Sequence, residues 1–305
     1  MITIYTEDHK LRDAKSELCG GQLIGPHERP SRAEFIIARV HETGLGAVRS
    51  PTEFGLDPVL RVHDAGFVSF LERAWSLWAA EGHGGEAIAT CWPARRMAQR
   101  APEHIDGLLG YYSLAAETSI SPGTWEATRT SANVALTGAE LIRAGTHAAF
   151  SLCRPPGHHA ASDMYGGYCF LNNAAQYLKD QGASRVAILD VDYHHGNGTQ
   201  DIFYTRDEVL FVSLHCDPSW EFPHFLGYAD ETGAGAGDGC ALTLRLSLNE
   251  IIGDLGFANS ELRDLIEMHA ELPDLWDLAH GAWEECSGPS RFKDEGAQES
   301  LVNGI

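Results

Sequence analysis

Apolar residues recur at helical spacing through the first half of the chain and gather into short continuous runs through the second. Residues 2–5 alternate like a short strand. The segment 29–44 (RPSRAEFIIARVHETG) repeats apolar side chains on one helical face and stops at Gly44. One or two further helices are expected over 57–82, and another over 124–145 with Thr or Gly as its N-cap. Between them, 83–123 is rich in Gly, Pro and aromatics with weak periodicity, and reads as a long loop. From His147 onward, apolar runs at 147–154, 185–192 and 208–216 alternate with helical segments at 171–182 and 197–205. Apolar strands alternating with helices imply an α/β fold, a three-layer α/β/α arrangement with a mainly parallel sheet covered on both faces.

In such sheets ligands collect outside the carboxyl ends of the strands. All three runs end in similar chemistry: RPPGHHA (154–160), DVDYHHGNG (190–198) and SLHCD (213–217). The alternation of a strand end would send Asp190, Asp192 and His194 to one side and Val191 and Tyr193 to the other. A carboxylate and an imidazole two residues apart suit zinc or iron(II), which makes Asp192 and His194 candidate metal ligands. Asp190, one step deeper, sits where an outer-shell carboxylate or an alkali-metal ligand would lie. His158 and His159 follow a Pro-Pro-Gly turn. Two imidazoles beside a metal suit general base and general acid work, with Asp190 and Asn197 as available orienting partners.

Composition narrows the partners. With 22 Lys+Arg against 43 Asp+Glu the net charge is -21, which disfavours nucleic acid and attracts cationic small molecules. No apolar stretch approaches the roughly 18 residues of a membrane helix, so no membrane partner is expected. The start, MITIYTEDHK, lacks the basic-then-apolar layout of a secretory signal, and a cytoplasmic setting is expected. The 7 cysteines form no C-x-x-C pair, so neither a disulfide framework nor a thiolate zinc cluster is indicated.

RPPGHHA, GGYCFLNNAA (166–175), ILDVDYHHGNGTQ (188–200) and VSLH (212–215) together resemble the histone deacetylase family over about residues 1–239. HERPSR (27–32), ETSISPGTWEA (117–127) and the GAGAGDG run (233–239) are most similar to its bacterial acetylpolyamine amidohydrolases. The resemblance implies an arginase/deacetylase-like fold and a Zn2+ or Fe2+ hydrolase of N-acetyl amides, acting on an acetylated polyamine or acetyl-lysine. It implies Asp192 and His194 as metal ligands, and His158 and His159 as the acid/base pair with Asp190 and Asn197 as partners. Gly167 and Tyr168 match the wall of the acyl-lysine tunnel. Asp190, Asp192, His194, Ser213 and Leu214 match a structural K+ site. Glu117, with Asp106, falls where the distal ammonium of a polyamine would be received. The resemblance leaves open whether two subunits pair as a homodimer.

The chain departs from the family pattern after Gly239. Neither a second aspartate ligand in a G-x-D setting nor a late G-G-Y carrying the catalytic tyrosine is found, the only GGY being 166–168. Catalytic zinc ordinarily takes three protein ligands, and the motifs supply two. Two readings follow: a metal-dependent deacetylase, or a catalytically impaired remnant that binds metal or acetylated ligand without turnover. The segment 240–305 carries 13 Asp/Glu against 4 Lys/Arg. It is expected to be an atypical, mostly helical ending, truncated or replaced relative to the family, with helices at 260–271 and 274–283. Its CALTLRLSLNEIIGD, DLWDLAHGAW and SGPSRF resemble a fragment of the flavin barrel of trimethylamine or histamine dehydrogenases.

Overall fold

A computed structural model of the chain describes residues 1–173, 183, 185–237, 241–245 and 301–303. They fall into two compact units, Met1–Gly182 and Ala183–Asn303. In the first, β1 (Ile2–Ile4), β4 (Val48–Arg49) and β5 (Ala149–Ser151) form a parallel sheet in the order β4-β1-β5, with Ile2 opposite Ala149. An antiparallel hairpin, β2 (Glu17–Cys19) and β3 (Gln22–Ile24), forms a separate pair that the apolar pattern did not announce.

Helix α1 (Pro30–Thr43) starts on Pro, whose missing N–H would have had no helical partner, and ends on Gly44, whose left-handed backbone lets its N–H reach His41 O. Ala33, Ile37 and Val40 share one face and bury against Leu152. After the single turn α2 (Asp57–Leu60), α3 (Ala65–Ala80) is capped by Asp64, whose carboxylate accepts from the N–H groups of Gly66 and Phe67 at 2.8 and 3.0 Å. Its Phe67, Phe70 and Leu71 fill the main core with Leu109, Tyr165 and Phe170. Burial of each such side chain is worth about 1.5–3 kcal/mol. The long loop expected over 83–123 in fact contains a helix, α4 (Ile105–Tyr112). Glycines at 107 and 110 lower its intrinsic propensity, but packing requires them: a Cβ on Gly110 would lie 1.6 Å from Cys91 O. Helix α5 (Thr124–Arg143) begins at Gly123, as expected.

In the second unit β6 (Val186–Asp190), β7 (Val209–His215), β8 (Ala241–Arg245) and β9 (Leu301–Asn303) form a parallel sheet in the order β8-β7-β6-β9. Every residue of β7 is buried, the polar Ser213 and His215 included, as in a strand covered on both faces. The helix Asn197–Phe203 links β6 to β7. The register sets Asp190 opposite Ser213. Within 240–305, the described residues 241–245 and 301–303 are strands; the helices expected at 260–271 and 274–283, and that expected over 171–182 from residue 174 on, lie outside the described residues. No helix among the described residues is long and apolar enough to cross a membrane.

Candidate active-site elements

In the first unit the loop after β5 carries His158 and His159, whose ring centroids lie 3.9 Å apart. His159 is buried and His158 is partly exposed. The root of this loop is a buried ion cluster. Arg154 donates to Glu28 through Nε (2.7 Å) and Nη2 (3.0 Å), and Arg12 donates to the same carboxylate at 3.1 Å. Of the remaining guanidinium nitrogens, Arg154 Nη1 donates to Arg12 O at 2.8 Å and Arg12 Nη2 to Ser119 O at 3.2 Å, while Arg12 Nε is buried without a hydrogen-bond partner. Ser131 Oγ donates to Pro155 O at 2.7 Å. Below the histidines, Asn172 N donates to His63 Nε2 (2.9 Å), which leaves Nδ1 of His63 to donate to Ala161 O (2.8 Å) and fixes a neutral tautomer.

Gly167 and Tyr168 pack on this loop. Both have positive φ, 55° and 66°, and a Cβ on Gly167 would fall 2.1 Å from Cδ2 of His159. Glycine is therefore required at 167 by sterics as well as by conformation. Glu117 Oε1 accepts from Gly167 N at 2.7 Å, Thr118 Oγ1 accepts from Tyr168 N at 2.8 Å, and Tyr168 Oη donates to Glu17 Oε1 at 3.0 Å. Glu117 thus stands beside the Gly167–Tyr168 turn, with one carboxylate oxygen engaged by it. Asp106 lies in the first turn of α4, about half exposed, with His83 Nε2 at 3.8 Å and His104 Nδ1 at 3.7 Å from its carboxylate.

In the second unit β6 ends at Asp190, which is buried, and the next residues leave the strand. Asp192 N donates to Asp190 Oδ1 at 3.1 Å, and His194 N donates to Asp192 Oδ1 at 2.8 Å. Successive carboxylate–backbone turns, rather than the pleat of a continuing strand, fix these side chains. His194 Nδ1 lies 3.5 Å from Asp192 Oδ1, with side-chain exposures of 39% and 33%, while Val191 and Tyr193 face outward. One carboxylate and one imidazole, adjacent and reachable by solute, fit part of a zinc coordination shell. Among the described residues no cluster of three or more His, Cys, Asp or Glu is arranged to hold a metal. A Cβ on Gly196 would come 2.1 Å from Asp190 Oδ2, so the absence of a side chain there lets the loop close over this carboxylate. Asn197 is buried at the start of its helix.

Ser213, Leu214, His195 and His215 lie beneath this loop, all buried. His215 Nε2 contacts Gly227 O at 3.0 Å and Nδ1 contacts Ser213 Oγ at 2.9 Å, while His195 Nδ1 contacts the same hydroxyl at 3.1 Å. Burial holds the His215 imidazole below its ordinary pKa and so neutral. A carbonyl can only accept, so His215 donates through Nε2 and accepts from Ser213, which accepts in turn from His195. His195 and His215 lie in the strand-end motifs without a role assigned from sequence, and His63 lies in no motif. The sequence reading passed over Phe222, whose ring centroid lies 5.9 Å from that of His194; the EFPHF stretch after β7 was the available signal.

Residues 26–272 match the family model for the histone deacetylase domain, running past the Gly233–Gly239 stretch where the composition changes. The chain is 62% identical over 242 residues to the acetylpolyamine amidohydrolase of Mycoplana ramosa, covering 78% of this chain and 71% of that one. It is 57% identical to acetylpolyamine amidohydrolase 2 of Pseudomonas aeruginosa, covering 78% and 70%. The crystal structure of acetylpolyamine aminohydrolase from Burkholderia pseudomallei superposes with a TM-score of 0.76 at 36% identity, covering 87% of this chain and 78% of that one. The arginase/deacetylase-like α/β fold expected from the sequence is thereby established.

Proposed function

The chain belongs to the histone deacetylase family, and from that premise we propose that it hydrolyses the N-acetyl bond of acetylated polyamines with a zinc ion held by Asp192 and His194. The observation that carries the reading is the Asp192–His194 pair, two donors of the right kind 3.5 Å apart at a solute-reachable loop beyond a buried carboxylate. Zinc there would supply Lewis-acid polarisation of the acetyl carbonyl; iron(II) would be served by the same donors. Asp190, Asp192, His194, Ser213 and Leu214 are assigned to a structural potassium ion on the same family resemblance.

His158 and His159 are assigned the proton transfers. Their ring centroids lie 3.9 Å apart, close enough for both to serve one reacting centre. Asp190 and Asn197 are assigned as their orienting partners. Gly167 and Tyr168 are assigned to the channel wall, and Glu117 and Asp106 to the cationic end of the substrate, for which the charge of -21 provides long-range attraction. A cytoplasmic setting belongs to the same reading: Cys19, Cys91, Cys153, Cys169 and Cys216 are all unbridged thiols.

A second reading, binding without turnover, is favoured by the absence of a late G-G-Y and of a second G-x-D aspartate after Gly239. The two separate in one experiment. Zinc content, acetylputrescine binding and acetate release are measured on the full chain and on Asp192→Ala. Hydrolysis predicts bound zinc and released acetate in the parent and loss of both in the variant. Zinc and ligand binding without acetate would select the remnant, and zinc retained in Asp192→Ala would overturn the ligand assignment.

A further inference from the structure

Tyr168 is a non-glycine residue at φ 66°, a conformation that a bulky side chain rarely adopts and that persists only where neighbours over-determine it. Two of its restraints act on backbone: Glu117 on Gly167 N and Thr118 on Tyr168 N. The third holds the far end of the ring. Glu17 Oε1 accepts from Tyr168 Oη at 3.0 Å, and Glu17 Oε2 accepts from His27 N at 3.0 Å. Glu17 is 3% exposed, so this carboxylate is removed from water at the start of β2 and occupied on both oxygens by a phenol and an amide.

A buried carboxylate is costly unless hydrogen-bonded, and a hydrogen bond to a charged acceptor is about twice as strong as a neutral one. We propose that Glu17 is a positioning residue: it tethers the Tyr168 ring from the hairpin side, and acetylpolyamine affinity depends on Glu17 through Tyr168 without contact between Glu17 and substrate. The inference rests on the functional reading above in taking Tyr168 as part of the channel wall. Two further observations favour it. The amide that shares Glu17 belongs to His27, and its neighbour Glu28 anchors Arg154 at the root of the tandem-histidine loop, so one dipeptide ties both walls. Gly167, pinned beside Tyr168, has no room to shift toward His159. Burial first, and then the Glu17 carboxylate, push the Tyr168 phenol above the usual phenol range, which keeps it protonated and able to donate.

The test is a double-mutant cycle of Glu17→Ala and Tyr168→Phe on the full zinc-loaded chain, read by calorimetric affinity for acetylputrescine and by denaturant unfolding, with Tyr168→Ala as a separate arm. Each single variant is expected to bind about tenfold more weakly, and the double variant no more weakly than either, because both cut the same bond. Losses that multiply, or parental affinity in Glu17→Ala, would overturn the proposal. Should Glu17→Ala fail to fold, Tyr168→Phe cuts the tether from the partly exposed end, and parental affinity there overturns the proposal equally. Parental affinity in Tyr168→Ala, or no binding by the parent, would instead overturn the functional reading. In that case the unfolding cycle still decides the tether: non-additive stabilities support it and additive ones refute it.

Discussion

Replacing Glu28 by Gln removes the single carboxylate shared by two buried guanidinium groups and keeps its shape. Arg12, Glu28 and Arg154 are each no more than 3% exposed, and their N–O contacts are 2.7, 3.0 and 3.1 Å. At these separations each Arg–Glu attraction is roughly 5 kcal/mol for an effective dielectric near 20, so the two together bound the effect from above at about 10 kcal/mol. Breaking one buried ion pair from one side costs about 3–5 kcal/mol, because the charge left behind keeps its desolvation penalty. Here two guanidinium groups are left, partly relieved by the backbone carbonyls of Arg12 and Ser119, so the expected loss stays within about 3–5 kcal/mol. For a unit of this size about 2–4 °C follows each kcal/mol, which places the expected fall in melting temperature at about 6–20 °C. Scanning calorimetry at neutral pH measures it, with Glu34→Gln as the control. Glu34 pairs with Lys10 at 3.0 Å on the surface, where solvent screening leaves such a pair contributing little to stability. If Glu28→Gln melts within about 2 °C of the parent, or no lower than Glu34→Gln, the idea that a buried charge cluster anchors the tandem-histidine loop is wrong.

Gly196→Ala drives a methyl to 2.1 Å from Asp190 Oδ2 and should destabilise by about 1–3 kcal/mol while lowering zinc affinity about tenfold or more; parental zinc affinity by competition with a chelating dye would refute the coupling of that loop to the Asp192–His194 pair. Acidification should weaken the second unit through His215. Its folded pKa is held below the ordinary 6.5 by burial, so as pH falls through 6.5 the unfolded chain takes up the proton first and stability drops until the lower folded value is passed. Urea unfolding at pH 7.5 and 5.5 should therefore show a loss that shrinks in His215→Asn, and an equal loss in both proteins would rule out His215 as its source.

The long apolar runs and the capped amphipathic helices were legible because burial on one face or on both leaves a period in the sequence. The runs at 147–154, 185–192 and 208–216 contain β5, β6 and β7, each strand shorter than its run, and Gly44 and Gly123 mark helix ends as their positions suggested. Helix α4 was not legible, since Gly107 and Gly110 answer to Pro102 and Cys91 across a tertiary contact and not to helix propensity. The hairpin β2–β3 escaped for a related reason: of its side chains only Glu17 is buried, so it leaves almost no apolar signature.

The sequence by itself determined which chemistry this protein carries: paired imidazoles, an Asp/His couple beyond a parallel strand, and an acidic surface, each written in local motifs whose spacing survives without coordinates. Only the tertiary structure decided what holds that chemistry in place. Residues far apart in the chain had to be brought together before Glu28 could be seen to serve Arg12 and Arg154, Glu17 to hold Tyr168, or Ser213 to join His195 to His215. Hydrogen bonds and buried charges act over about 3 Å of space whatever the separation along the chain, so a one-dimensional pattern can name the partners but cannot pair them.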